Sequence, residues 1–420
     1  MGRPIVLTFT AFISLSAASI ALAQEPPDAI GERLMADPAV KRALDAVQRN
    51  EPEVLAEQIR LCEIEAPPFK EAARAEALKA VFESLGLQNV RTDAEGNVLG
   101  ERPGASPQPH LVFSAHLDTV FPEGTNVRTT RQGTVIKGPG IADDCRGLAV
   151  LIGVVRALNE AGLQTPGSIT FVGTVGEEGL GDLRGVKHLF GQELKGRVDR
   201  FVSVDGAGLG ITHRAVGSRR YRFIFKGPGG HSYGAFGLAN PLHALGRGVA
   251  KIADLRVPAE PRTTFNVGRT GGGTSVNSIP FEAWIEVDMR SADQAALSAL
   301  HDAVLTAVDE AVDEENARWG KPGVVSVEKK LVGDRPGGRV PAEAPIVEAA
   351  VSVTRALGLK PTLDEGSTDS NIPISLGIPA VTIDGGGSSR GTHSLDEQFD
   401  SASSWQGTAR ALLLALALVR

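Results

Sequence analysis

Three short, unbroken apolar runs constrain this chain more than anything else in it: Leu111–Ala115 (LVFSA), Ile169–Val175 (ITFVGTV) and Phe201–Val204 (FVSV). A strand with one wet face alternates apolar and polar residues, whereas a run without alternation belongs to a strand covered on both faces. A helical stretch, Arg146–Ala161, separates the first two runs. A fourth strand, Ala380–Ile383, comes late in the chain, between the helices Pro345–Leu357 and Ser403–Val419. Upstream, Pro27–Ala66 is helical in tone, and Ala72–Leu85 reads as an amphipathic helix closed by Gly86. Alternating buried strands and helices predict an α/β domain with a mostly parallel central sheet flanked by helices.

From about Tyr221 the rhythm changes. A strand (Tyr221–Lys226) leads through a Gly-rich loop to a helix (Pro241–Ile252), and strands follow at Thr263–Arg269 and Ala283–Asp288. A long helix, Ala295–Ala317, and a strand, Val324–Val332, complete the series. The order β-α-β-β-α-β is that of a ferredoxin-like α+β unit. The expected organisation is a large domain in two parts, 24–215 and 334–420, interrupted by a small one at 216–333.

The apolar runs end in residues that bind metals. His116 and Asp118 follow the first, Glu177 and Glu178 the second, Asp205 the third, and His393 lies beyond Ile383. Asp143 and Asp144 sit in a glycine-rich turn, GPGIADDCRG, at the entrance to the helix that begins near Arg146. Each has a plainer reading: a capped surface histidine, turn formers, a solvated acidic loop, or a helix cap for one of the two aspartates. Open α/β sheets, however, place their functional crevice beyond the carboxyl ends of the strands, so these residues converge on one polar site. Two histidines with several carboxylates suit zinc, manganese or cobalt. His110, His188, His213, His243 and His301 lack such a setting.

Residues 1–23 carry a basic Arg3, an apolar core over Ile5–Leu22 and a small-x-small signal at Ala21-Leu22-Ala23, which predicts an export signal and a periplasmic or secreted protein. No later stretch has the length and purity of a membrane span, so no membrane association is expected after cleavage. The formal net charge of −7, without a long basic cluster, argues against a nucleic-acid partner. Cys62 and Cys145 are the only cysteines. One bridge fits an oxidising compartment, but two separate thiols, with Cys62 buried, are the expectation.

The motifs SAHLDTVFP, GPGIADDCRG, GTVGEEG, SVDG and GTHSLDE, in that order, resemble the M20 family of dinuclear zinc metallopeptidases. That family includes glutamate carboxypeptidase, peptidase T and several dipeptidases. The resemblance implies two zinc ions held by His116, Asp143, Glu178, Asp205 and His393, with Asp143 shared between them. It implies Glu177 as general base and Asp118 as the acid that orients His116. Two such ions share a water and clamp the oxygens of a hydrolytic transition state.

In the inserted unit, GPGGHSYGAFGLANP resembles the family's lid motif, with His231 entering a partner's active site in a homodimer. Asn277 and Arg290 match lid residues that contact substrate, and Arg335 resembles an arginine that grips a substrate carboxylate. A structural ion pair is the alternative for both arginines. Two departures stand out: Cys145-Arg146 where many members have lysine, and Asp205 where carboxypeptidases and deacylases of the family have glutamate.

These implications make the chain an exported hydrolase of short peptides, of di-/tripeptidase or aminopeptidase type. A carboxypeptidase or N-acyl-amino-acid amidohydrolase uses the same machinery. A non-catalytic peptide- or metal-binding protein is the reading from another class, and Glu177 speaks against it.

Overall fold

The computed structural model describes residues 29–320 and 324–420. The expected export signal at 1–23 lies outside them. Among the described residues no helix is long and apolar enough to cross a membrane.

The apolar runs form the centre of a nine-stranded sheet. Ser168–Thr174, His110–His116, Arg200–Val204 and Ala380–Ile383 lie side by side in that order, all parallel. Their side chains are buried on both faces: Leu111, Val112, Phe113, Phe171 and Val202 have no exposed surface. That is why the sequence shows no alternation there. Antiparallel strands extend the sheet, Val98–Arg102 and Gln88–Thr92 on one side and Gly210–Ala215 on the other. The helices Pro38–Cys62, Cys145–Glu160 and Trp405–Leu418 pack on one another, and the last two also meet the sheet.

The inserted unit has the expected order and its own core. Thr263–Gly272, Glu282–Ser291, Gly217–Lys226 and Ser326–Arg335 form an antiparallel sheet in that sequence of neighbours. In Glu282–Ser291 burial alternates strictly, with Ala283, Ile285, Val287 and Met289 inward, as a sheet covered on one face requires. Their cover is the helix pair Pro241–Ala253 and Gln294–Arg318.

The structure departs from the sequence-based expectations in two places that bear on the site. A small sheet joins Thr130–Gln132, Val135–Lys137, Gln398–Asp400 and Ser388–Arg390. It ties the turn that carries Asp143 to the loop that carries His393. The expectation of separate cysteines is also corrected: Cys62 and Cys145 are joined in a disulfide, with Cα atoms 5.5 Å apart. The end of Pro38–Cys62 meets the start of Cys145–Glu160, a contact that no local pattern announces.

Candidate active site

The parallel strands end together, and the loops beyond their carboxyl ends gather the polar residues. Asp143 stands at the centre. Its Oδ1 lies 3.0 Å from His116 Nε2 and its Oδ2 3.1 Å from His393 Nε2. Ligating atoms of His116, Asp143 and Asp205 all lie within 4.8 Å of one another, as do those of Asp143, Glu178 and His393. One carboxylate therefore serves two groups of three, each with one imidazole and two carboxylates.

The atoms of His116, Glu177 and Glu178 also meet within 4.8 Å, so proximity alone does not separate Glu177 from the others. Its partner does. Arg335 Nη1 donates to Glu177 Oε1 at 3.1 Å, and Nη2 donates to the Glu177 carbonyl. Both residues are almost fully buried.

The surrounding groups fix these side chains. His116 Nδ1 is 3.0 Å from the Asp118 carbonyl, an acceptor that leaves Nε2 free to bind a cation. The Asp118 carboxylate, 3.7 Å from the ring, instead accepts the backbone N–H groups of Glu177 (3.0 Å) and Glu178 (2.8 Å). It thus holds the loop of the two glutamates, and the imidazole is oriented chiefly by the carbonyl. Asp144 caps the helix, accepting from Gly147 N–H at 2.9 Å, and also from His116 N–H at 3.0 Å. A Cβ on Gly147 would stand 2.3 Å from the Asp144 carboxylate and 2.5 Å from the Val204 carbonyl, so only glycine fits.

The electrostatics suit cations. Burial opposes a charge on His116, yet Asp118, Asp143 and Asp205 raise its pKa well above the ordinary value. Hydrogen bonds to Asp143 and Glu178 push His393 up to about 10. Burial works to raise Asp143, but the two imidazoles hold it below the usual carboxylate range. Burial raises Glu177 strongly, with Arg335 opposing and Glu178 reinforcing. Carboxylates that hold protons on neighbouring imidazoles exchange those protons for divalent ions, and the mixed nitrogen–oxygen donor set fits zinc, manganese or cobalt.

Residues 112–417 match the model of peptidase family M20/M25/M40. The chain belongs to that family.

It is a hydrolase acting on peptide bonds, and the reading as a non-catalytic binding protein falls away. This M20 peptidase is 27% identical over 350 residues to the uncharacterized protein YqjE of Bacillus subtilis (strain 168), covering 80% of this chain and 90% of YqjE. It is 27% identical over 232 residues to carboxypeptidase G2 of Pseudomonas sp. (strain RS-16), covering 53% and 55% of the two chains. Its fold is that of a tripeptidase from Staphylococcus aureus subsp. aureus Mu50, with TM-score 0.72, 23% identity and coverage of 88% and 99%. It is also that of YxeP from Bacillus subtilis, a dinuclear metal binding peptidase of the M20 family, with TM-score 0.64, 17% identity and coverage of 88% and 98%. M20 peptidases are dinuclear metal enzymes, and the two groups sharing Asp143 form the corresponding candidate cluster.

In this M20 peptidase the lid residues His231, Asn277 and Arg290 make their hydrogen bonds within the lid itself. His231 is exposed on a short strand paired with Ser278–Ile279. Its Nδ1 accepts from the N–H groups of Tyr233 and Gly234, both at 3.2 Å, which puts the ring proton on Nε2. Asn277 is its neighbour: the Asn277 carbonyl accepts from Ser232 N–H at 3.0 Å. Arg290 is in an ion pair, Nε to Asp288 Oδ2 at 2.7 Å, and Asp288 also receives Arg220 at 2.9 Å. Here the structural alternative describes Arg290. Arg335 is held on Glu177.

Two contributors were missed. Glu397, fully buried, accepts three backbone N–H groups of the Asp143 turn: Gly140 (3.1 Å), Ala142 (2.8 Å) and Asp143 itself (3.2 Å). Its signal was its place four residues after His393 in GTHSLDE. Arg146, noted only as a departure, is buried and donates to the carbonyls of Gly385 and Ser404, both at 2.7 Å, and to Glu51 at 3.1 Å. It anchors the glycine loop Gly385–Gly387 to the start of the helix Cys145–Glu160.

Proposed function

We propose that this M20 peptidase is an exported di-/tripeptidase or aminopeptidase that uses two zinc ions, with manganese or cobalt as alternatives. The observation that carries this reading is Asp143 shared by two ligand groups with Glu177 held alongside by Arg335. His116, Asp143 and Asp205 would hold one ion, and Asp143, Glu178 and His393 the other. Divalent ions there supply Lewis acidity to the scissile carbonyl and the attacking water. Glu177 takes the proton of that water and returns one to the leaving amine. His231, with its proton on Nε2, donates to the developing oxyanion of a partner subunit's substrate in a homodimer formed through the lid.

Export is supported by the pattern of residues 1–23 and by the Cys62–Cys145 bridge, which belongs to an oxidising compartment. Short peptides with a free amino end are supported by Asp205 at the ligand position. A peptide panel tests the reading. Free di- and tripeptides are expected to be cleaved at least about tenfold better than N-acetylated or C-amidated versions, a gap of ~1.4 kcal/mol in transition-state stabilisation. Preference for N-acyl amino acids would instead establish the second reading, a carboxypeptidase or N-acyl-amino-acid amidohydrolase, which the likeness to carboxypeptidase G2 favours.

A further inference from the structure

The chain crosses between its two domains twice, at Val216 and at Pro336–Gly337, and the two crossings form one ribbon. Ala215 pairs with Gly338 in the large sheet, and Ser218 pairs with Arg335 in the lid sheet. Pairing lapses between them for two residues on each strand, Val216-Gly217 and Pro336-Gly337. At that gap sits Asn371, a residue with no exposed surface. Its Nδ2 donates to the carbonyls of Val216 and Pro336, each at 2.9 Å, and its Oδ1 accepts Thr368 N–H at 3.0 Å.

Pro336 directly follows Arg335, the residue that holds Glu177. The loop that ends in Asn371 grips Arg335 at its other end as well, because Ser367 Oγ accepts from Arg335 Nη1 at 3.1 Å. Backbone and guanidinium are thus fixed by one segment, Gly366–Asn371, whose own start accepts Val216 N–H at 2.8 Å. The lid strands touch the glutamate loop twice more. Arg220 Nη1 donates to the Gly179 carbonyl at 2.6 Å, and Asp334 N–H donates to Asp182 Oδ1 at 2.9 Å.

We infer that Asn371 is a positioning residue: by closing the gap in the interdomain ribbon it sets where Arg335 stands, and through Arg335 where the Glu177 carboxylate stands. The ribbon is paired on both sides of the gap, so Asn371 is not needed to keep the strands together. With Gln294, whose Oε1 accepts Gly337 N–H at 3.3 Å, it fixes the Pro336–Gly337 peptide, which directly follows Arg335. An amide is suited to this because it offers two donors to two carbonyls and an acceptor to its own loop, without adding charge.

This rests on Glu177 as the base, and a double-mutant cycle tests the two separately. The variants are Asn371→Ala, Arg335→Met, their combination and Glu177→Gln, assayed on a peptide that the wild type cleaves. Asn371→Ala is expected to lower kcat about tenfold with KM within about threefold and unchanged metal content. In the Arg335→Met background it should cost no more than about twofold further, because its route to the base is already cut. A wild-type kcat, or losses that multiply, overturns the inference. Asn371→Ser and Asn371→Asp run in the same cycle, and loss of the fold in all three marks a purely structural residue and overturns it too. Full turnover in Glu177→Gln retires Glu177 as base, while non-additivity of Asn371 and Arg335 would still show their coupling.

Discussion

Arg335, the last residue of the lid strand Ser326–Arg335, and Glu177, beyond the large-sheet strand Ser168–Thr174, meet in a buried ion pair, Nη1 to Oε1 at 3.1 Å, with a further bond from Nη2 to the Glu177 carbonyl. Burial raises the pKa of Glu177, and the guanidinium opposes that rise. The pair ties the candidate base to the strand Ser326–Arg335, so the lid takes part in the site without supplying any of its candidate ligands.

Glu177 and Glu178 are adjacent yet are expected to fail differently. Glu177→Gln should keep both ions and lose about 10²–10⁴-fold in kcat, the usual contribution of a general base. Glu178→Gln and His393→Ala should lower the metal content itself. Metal analysis beside kinetics separates the two, and wild-type turnover in Glu177→Gln would sink the mechanism.

Removing Glu397 strips three N–H groups in the Asp143 turn of their acceptor. Glu397→Ala is expected to lower stability by about 1–3 kcal/mol and to weaken metal affinity about 10–100-fold. Glu397→Gln keeps an acceptor and should fall between it and the wild type. Urea unfolding and a metal titration read both effects, and unchanged affinity in the alanine variant would contradict the role.

Asp384, below the glycine loop, is pushed by burial from 3.8 to about 6. The folded state then binds this proton more tightly than the unfolded chain, so the contribution of Asp384 to stability is full below about pH 4 and is lost as pH rises through about 6. The full effect is about 3 kcal/mol. Asp384→Asn can still accept from Gly210 N–H and should flatten the stability profile between those limits. Denaturant midpoints across the window check it, and a slope equal to that of the wild type refutes it.

Mixing subunits tests the lid histidine. If His231 acts across an interface, a heterodimer of His231→Ala with Glu177→Gln has one site with both functional residues, and activity partly returns. Confirmed subunit exchange without recovery excludes action in trans, as does a monomer at assay concentration.

The parallel strands were legible because burial on both faces leaves an unbroken apolar run, and Leu111–Ala115 could hardly be anything else. His116, Glu177, Glu178 and Asp205 were legible because they terminate such runs. The strand Thr362–Gly366 was not: it is polar and mostly exposed, and only its parallel pairing with Gly210–Ala215 makes it a strand. Glu397 reaches backbone groups more than 250 residues away, and Arg335 meets Glu177 across 158. Contacts of that range leave no local pattern. Motif likeness nominated Arg335 for a substrate carboxylate, whereas the packing gives it a carboxylate of this chain.

The bridge between Cys62 and Cys145 closes the chain into a covalent ring. His116, Asp118 and Asp143 lie on that ring, whereas Glu178, Asp205 and His393 lie outside it. Both sulfurs are sealed from solvent behind the Asp143 turn once it docks. Breaking or remaking the ring therefore requires the Asp143 turn to lift away, and with it the carboxylate that both candidate ligand groups share.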